Sequence, residues 1–225
     1  MRLELKYIVK RSNIKNLIKD LKDIFEVEEF ENNIAHYENR NIYYDTLDFK
    51  FYRDKTEGYS IRKKLRIRIS KFISDSKYSR CQIEIKSRRG FESEKKIIKI
   101  SNLNDFNFNE INKYLLINNN IYIHDNLFPI LNVKYERESF ISKIYRDIRF
   151  TIDNNIIASS FNNDIDEFQK GYFILEPQYS ILELKLKTQF PLLLKNIIKR
   201  HALQQVTYSK YAKSIDIIYN RKYQM

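Results

Sequence analysis

Five stretches of this chain carry a charged or polar side chain at every second position, and that period limits what they can become. Arg2, Glu4 and Lys6 alternate with Leu3, Leu5 and Tyr7; Lys64, Arg66 and Arg68 alternate with Leu65, Ile67 and Ile69. Gln82, Glu84 and Lys86 interleave with Cys81, Ile83 and Ile85, and Arg149, Thr151 and Asp153 with Ile148, Phe150 and Ile152. Glu183, Lys185 and Lys187 do the same with Leu182, Leu184 and Leu186. Successive side chains on a strand point to opposite faces, so each stretch predicts a strand with one ionic and one apolar face.

Taken singly, each strand fits an antiparallel sheet with one wet face. The rows are nevertheless built from clustered Arg and Lys rather than Ser, Thr and Gln. A row of like charges repels itself unless an anion lies among it. Glu4, Glu84 and Glu183 punctuate the rows, which suits a hard divalent cation bridging carboxylate to phosphate. Turning the ionic faces inward gives a tunnel whose apolar outside must be covered by helices.

Helical spacing of apolar residues predicts that cover. Residues 12–25 place Ile14, Leu17, Ile18, Leu21, Ile24 and Phe25 on one stripe behind Ser12 as N-cap. Further helices are predicted over 105–116, 191–201 and 210–219, the last with Tyr211, Ile215, Ile218 and Tyr219 on one stripe. The expected fold is α+β, a closed eight-stranded antiparallel β-tunnel with amphipathic helices packed outside, in a single domain over residues 1–225.

Composition narrows the chemistry. Lys and Arg outnumber Asp and Glu by 41 to 29, a formal charge of +12, which points toward anionic partners such as nucleic acid, a membrane surface or phosphates without choosing among them. Only three glycines occur, Gly58, Gly90 and Gly171, so no Gly-rich phosphate loop can be built and side chains must hold any phosphate. The lone Cys81 forms no intrachain disulfide and reads as a buried thiol; His36, His124 and His201 lie at no zinc-ligand spacing. The N-terminus is charged from its second residue and no long apolar run occurs, so a cytoplasmic location is expected.

Eight short motifs then occur in order: RLELKY at 2–7, YYDT at 43–46, KLRIRIS at 64–70, IEIK at 83–86, KYERESF at 134–140, RFTID at 149–153, LELK at 182–185 and YSKY at 208–211. In this register the sequence resembles the VTC domain, the polyphosphate-polymerase branch of the triphosphate tunnel metalloenzymes of the CYTH-like superfamily. The resemblance implies a transferase that binds ATP by its triphosphate and passes the γ-phosphate to a growing inorganic polyphosphate chain. It implies a divalent metal cofactor, Mn2+ or Mg2+. Position by position it implies phosphate binding and catalysis by Lys6, Arg66, Arg68, Lys86, Arg137, Arg149 and Lys210, with Lys185 as a further phosphate ligand. Tyr135 and Ser209 follow as hydrogen-bonding neighbours, and Glu183 as metal ligand and catalytic carboxylate. Glu4 joins it as a second metal ligand, because Arg2 stands where the wider superfamily has a first Glu. Thr207 stands where some members place a Lys.

These roles are chemically coherent. Arg offers phosphate a planar fork and Lys a mobile point charge. Phosphoryl transfer needs positioning and neutralisation more than covalent catalysis, and a chain-terminal phosphate needs no dedicated base. Tyr43, Tyr44 and Asp45 read as strand and turn packing rather than catalysis; Ser209 serves equally well as a cap of the last helix. The competing readings are a tunnel phosphohydrolase of inorganic triphosphate or another small triphosphate, a polyphosphate sensor without turnover, and a single-strand nucleic-acid binder. The last is disfavoured: the aromatics fall on apolar faces and the glutamates would repel a nucleic-acid backbone. Acceptor, oligomeric state and a membrane partner receiving the product are left open by the sequence.

Overall fold

A computed structural model describes residues 3–30, 33–75, 80–101, 106–124, 126–145, 147–163, 171–187 and 190–219. Eight strands are eight residues or longer: β1 (Leu3–Lys10), β2 (His36–Asp45), β3 (Ile61–Phe72), β4 (Arg80–Arg89), β5 (Glu92–Lys99), β6 (Phe128–Ser142), β7 (Arg149–Ser160) and β8 (Tyr179–Leu186). They pair antiparallel in the order β1-β8-β7-β6-β2-β3-β4-β5. Short strands Gln204–Gln205, Tyr172–Phe173 and Phe25–Val27 add to β1, β7 and β6, so the sheet has eleven strands rather than the expected eight.

Among the described residues the sheet is also not closed, because no ladder joins β1 to β5. It curls instead until a side-chain bridge spans the gap, with Lys86 Nζ on β4 lying 3.9 Å from Glu4 on β1. Alternation of residue type specifies the faces of each strand, but closure depends on how far the whole sheet coils.

The register makes the ionic rows one surface. Lys6 lies opposite Glu183, Glu183 opposite Thr151 and Thr151 opposite Ser139. On the other side Tyr43 lies opposite Arg66, and Arg66 opposite Glu84. Arg2, part of the first row, lies outside the described residues.

The helices are α1 (Arg11–Leu21), α2 (Lys50–Thr56), α3 (Ile111–Asn119), α4 (Leu192–Arg200) and α5 (Lys210–Ile218). α1 and α4 bury Leu17, Leu21, Leu194 and Ile197 against outward-facing Phe150, Leu182 and Leu184, as expected of an outer cover. α1 begins after Lys10 with no side-chain cap, so Ser12 falls inside its first turn; Phe25 belongs to a strand. Pro191 is the N-cap of α4. The helix expected over 105–116 is a 3-10 turn at Phe108–Glu110 followed by α3; its predicted start, Asp105, is outside the described residues. α3 lies over the second outer core, where Ile111 and Leu115 meet Leu65, Ile67 and Ile83. Cys81 is partly buried there, and burial pushes its thiol up to about 12. No helix among the described residues is long and apolar enough to cross a membrane.

α5 departs from the expected layout. Its Tyr211, Ile215 and Ile218 pack on Tyr43, Leu131, Val133, Tyr135 and Ile181. By register these residues share the face of Arg66, Arg137 and Glu183. α5 therefore packs on the inner face, not outside. The inner face is apolar at one end of β7 and β8, where Ile156 and Ile181 lie under α5, and ionic toward the other.

α2 was not foreseen, since its seven residues are too few for a clear apolar period. Asp45 organises it: its fully buried carboxylate accepts from the backbone N–H of Thr46 (2.8 Å), Phe51 (2.8 Å) and Tyr52 (3.0 Å), and from the Tyr211 hydroxyl. One side chain thus ties β2, α2 and α5; Tyr44 packs in the outer core, whereas Tyr43 lies on the inner face with its hydroxyl at Arg66. Asp45→Ala would strand several buried donors at about 1–3 kcal/mol each. Urea unfolding should show a loss of about 3 kcal/mol or more, and a midpoint equal to that of the parent would contradict this role.

Candidate active site

Three buried carboxylates organise the inner wall. Glu84 on β4 receives Arg66 in a two-nitrogen contact (2.6 and 2.9 Å), Arg68 at 3.2 Å and Lys95 at 3.0 Å. Asp153 on β7 receives a two-nitrogen contact from Arg137 (2.5 and 2.7 Å) and the amine of Lys210. Glu183 on β8 meets Lys185 at 2.6 Å and Arg137 at 4.0 Å. Burial alone would raise each carboxyl, but the cations outweigh it. Arg66 and Arg68 hold Glu84 below the carboxylate range, Arg137 and Lys210 hold Asp153 at about 2, and Lys185 and Arg137 hold Glu183 well below its ordinary value.

Aromatic and amide groups join the two halves. The Arg66 guanidinium donates to the Tyr43 hydroxyl at 3.1 Å, and Arg68 reaches Asn41 Oδ1 at 3.4 Å and the Tyr135 hydroxyl at 3.5 Å. Lys210 sits 4.5 Å from the Tyr135 ring centre and Arg137 5.2 Å. Burial opposes ionisation of Tyr135, yet Arg137 and Arg68 pull its phenol below the usual value. Lys6 donates to the Tyr208 carbonyl at 2.9 Å and meets Glu4 at 3.3 Å, which fixes the segment entering α5.

Of the residues singled out in sequence, Lys6, Arg66, Arg68, Tyr135, Arg137, Glu183, Lys185 and Lys210 are brought onto this one wall. Lys86 lies at the seam with its side chain half exposed. Arg149 stands in register with Lys185 but turns its guanidinium to Glu28 at 3.2 Å, also half exposed. Ser209 is the N-cap of α5, its hydroxyl accepting from Ala212 N–H at 3.3 Å.

Sequence reasoning passed over three participants. Asp153 was placed on the ionic face without a role, although a lone acid in a basic row signals a counter-ion. Lys64 was likewise left in its row; it lies 4.7 Å from the Tyr43 ring centre. Lys95 stands in a stretch with no clean alternation, so only its contact with Glu84 reveals it.

For a divalent metal, no group of three or more His, Cys, Asp or Glu assembles among the described residues. The donor set fits a hard cation that takes most of its ligands from phosphate. Glu183 is ionised, and the Thr151 hydroxyl opposite it is buried without a partner. Glu4 is the diagonal neighbour of Glu183 on the adjoining strand.

Two solved structures share the architecture. PH1819 from Pyrococcus horikoshii OT3 is 15% identical, with 99% of each chain covered and a TM-score of 0.53. A Bacillus halodurans protein described as a candidate adenylate cyclase (bh2851) is 16% identical, with 93% of this chain and 94% of that one covered and a TM-score of 0.51. At such identities these likenesses show the fold. No curated protein matches. The sequence profile of the VTC domain matches residues 1–219, nearly the whole chain. The chain is therefore a member of the VTC domain family.

Proposed function

We propose that this protein is a metal-dependent phosphotransferase that passes the γ-phosphate of ATP to a growing inorganic polyphosphate chain. The observation that carries the reading is the inner wall itself. Cations from β1, β3, β4, β6, β8 and α5 converge there on only a few carboxylates, leaving more positive charge than one triphosphate needs. Excess cationic charge suits a longer polyanion.

In this reading Arg66, Arg68 and Arg137 present planar forks to phosphate oxygens, while Lys6, Lys185 and Lys210 act as mobile charges. Each already lies beside a carboxylate, hydroxyl or carbonyl that fixes its direction, so little reorganisation accompanies transfer. The metal, Mn2+ or Mg2+, would be held by Glu183, with Glu4 and the Thr151 hydroxyl nearby, and would neutralise charge between the β- and γ-phosphates. Phosphate arriving beside Lys185 frees Glu183 for that role. Tyr135, flanked by Arg68, Arg137 and Lys210, hydrogen-bonds to the same oxygens.

α5 bears on where the chain runs. It covers Ile156 and Ile181, and Arg149 and Lys185 lie toward the opposite ends of the same strands. The growing polymer leaves past that cationic end.

Incubation with ATP and manganese should release ADP and build a phosphate polymer, seen as a ladder or smear that a polyphosphatase removes. Orthophosphate matching ADP one for one, with no polymer across several metals and primers, would replace this reading with a phosphohydrolase. Glu183→Gln should abolish turnover in a chain that still folds at reduced stability, its buried partners Lys185 and Arg137 having lost a counter-charge; full activity at saturating metal would remove Glu183 from the metal site. Arg66→Ala and Arg68→Ala should each weaken a non-hydrolysable ATP analogue by about 1.5–3 kcal/mol per charged hydrogen bond lost, with Lys only partly restoring affinity. Unchanged calorimetric affinity in both would place the phosphates elsewhere.

A further inference from the structure

Lys64 differs from the basic residues around it. Lys6 and Lys86 meet Glu4, Arg66 meets Glu84, and Lys210 meets Asp153. Among the described residues no carboxylate lies within ion-pair distance of Lys64; its amine stands over the face of Tyr43 instead. It is not on the solvated outside. It shares the inner face with Arg66 two positions on, and lies directly opposite Lys86 on β4.

The groups facing it are nearly all cations: Arg66 from its own strand, Lys86 from β4, Lys6 from β1 and Lys210 from α5, with Tyr43 supplying a ring from β2. A π face compensates an ammonium only modestly. Burial and these four cations favour the neutral amine and push its pKa well below the ordinary lysine value. The surroundings reverse when a polyanion fills the wall, since phosphate oxygens then outnumber the neighbouring cations within reach.

We propose that Lys64 is a proton-coupled phosphate ligand, held without a protein counter-ion so that it gains its charge, and its partner, when a phosphate chain arrives. The inference rests on the inner wall being a phosphate-chain site. The step is a proton taken from solvent by the neutral ε-amine, giving an ammonium paired with phosphate oxygens. The sign follows from linkage. The bound state holds the proton to higher pH than the free state, so binding takes up a proton in between, and affinity falls as pH rises through that window. In that window the unliganded inner wall carries up to one charge fewer, which lessens its self-repulsion.

Calorimetric titration of the full chain with inorganic tripolyphosphate across a series of pH values, in buffers of low and high ionisation enthalpy, tests this. At some pH in the series the parent should take up more protons per site, up to about one, than either Lys64→Met or Lys64→Arg. Lys64→Arg keeps the charge at all pH values, so it should bind while losing both the extra uptake and the steeper fall of affinity with pH. Equal buffer dependence in the parent and in Lys64→Arg would overturn the role of Lys64 and leave the phosphate site standing. A parent that binds no tripolyphosphate would overturn the phosphate site as well.

Discussion

The structure depends on sharing a few buried carboxylates among many cations. Glu84 serves Arg66, Arg68 and Lys95; Asp153 serves Arg137 and Lys210; Glu183 serves Lys185 and Arg137. Without them, rows of Arg and Lys on neighbouring strands would drive the wall apart. Taking one partner from a buried pair leaves an uncompensated charge that costs about 3–5 kcal/mol. The same arrangement leaves net positive charge directed at the lumen, already oriented, where a phosphate chain can complete the neutralisation. On the proposed reading, the residues that let the wall fold are also those that would bind the polyanion.

Packing determines where that charge can sit. Two apolar cores on the outer faces, beneath α1 with α4 and beneath α3, hold the sheet in its curl. A third lies on the inner face, where α5 meets Tyr43, Val133 and Ile181. Because α5 starts at Lys210, one short helix both fills part of the interior and delivers a cation to Asp153. Asp45 holds it there through Tyr211, and the Tyr52 hydroxyl donates to Asp216 at 2.6 Å. Stability where α5 packs and charge at the site are therefore coupled through the same segment.

Much of this is legible in the sequence because a strand's period of two is rigid. The ionic rows of β1, β3, β4, β7 and β8 fall on one face, and the apolar stripes of α1 and α4 mark real outer cover. Other features depend on relations between elements. Alternation states which face of β1 is ionic, but not that β1 and β5 fail to form a ladder. The stripe of Tyr211, Ile215 and Ile218 shows that α5 needs a partner without saying which side of the sheet supplies it. α2 exists because Asp45 gathers its first backbone N–H groups, a tertiary arrangement beyond local propensity. Lys64 reads like its neighbours until the ion pairs around it are known.

The central claim is that the inner wall trades its internal ion pairs for phosphate. A crystal structure with a non-hydrolysable ATP analogue and manganese measures this most directly. The account predicts the γ-phosphate among Arg66, Arg68, Arg137 and Lys210, with Glu183 released from Lys185 and ligating the metal. A nucleotide bound on the outer face, or bound inside with the Glu183–Lys185 pair intact and the metal elsewhere, would contradict it.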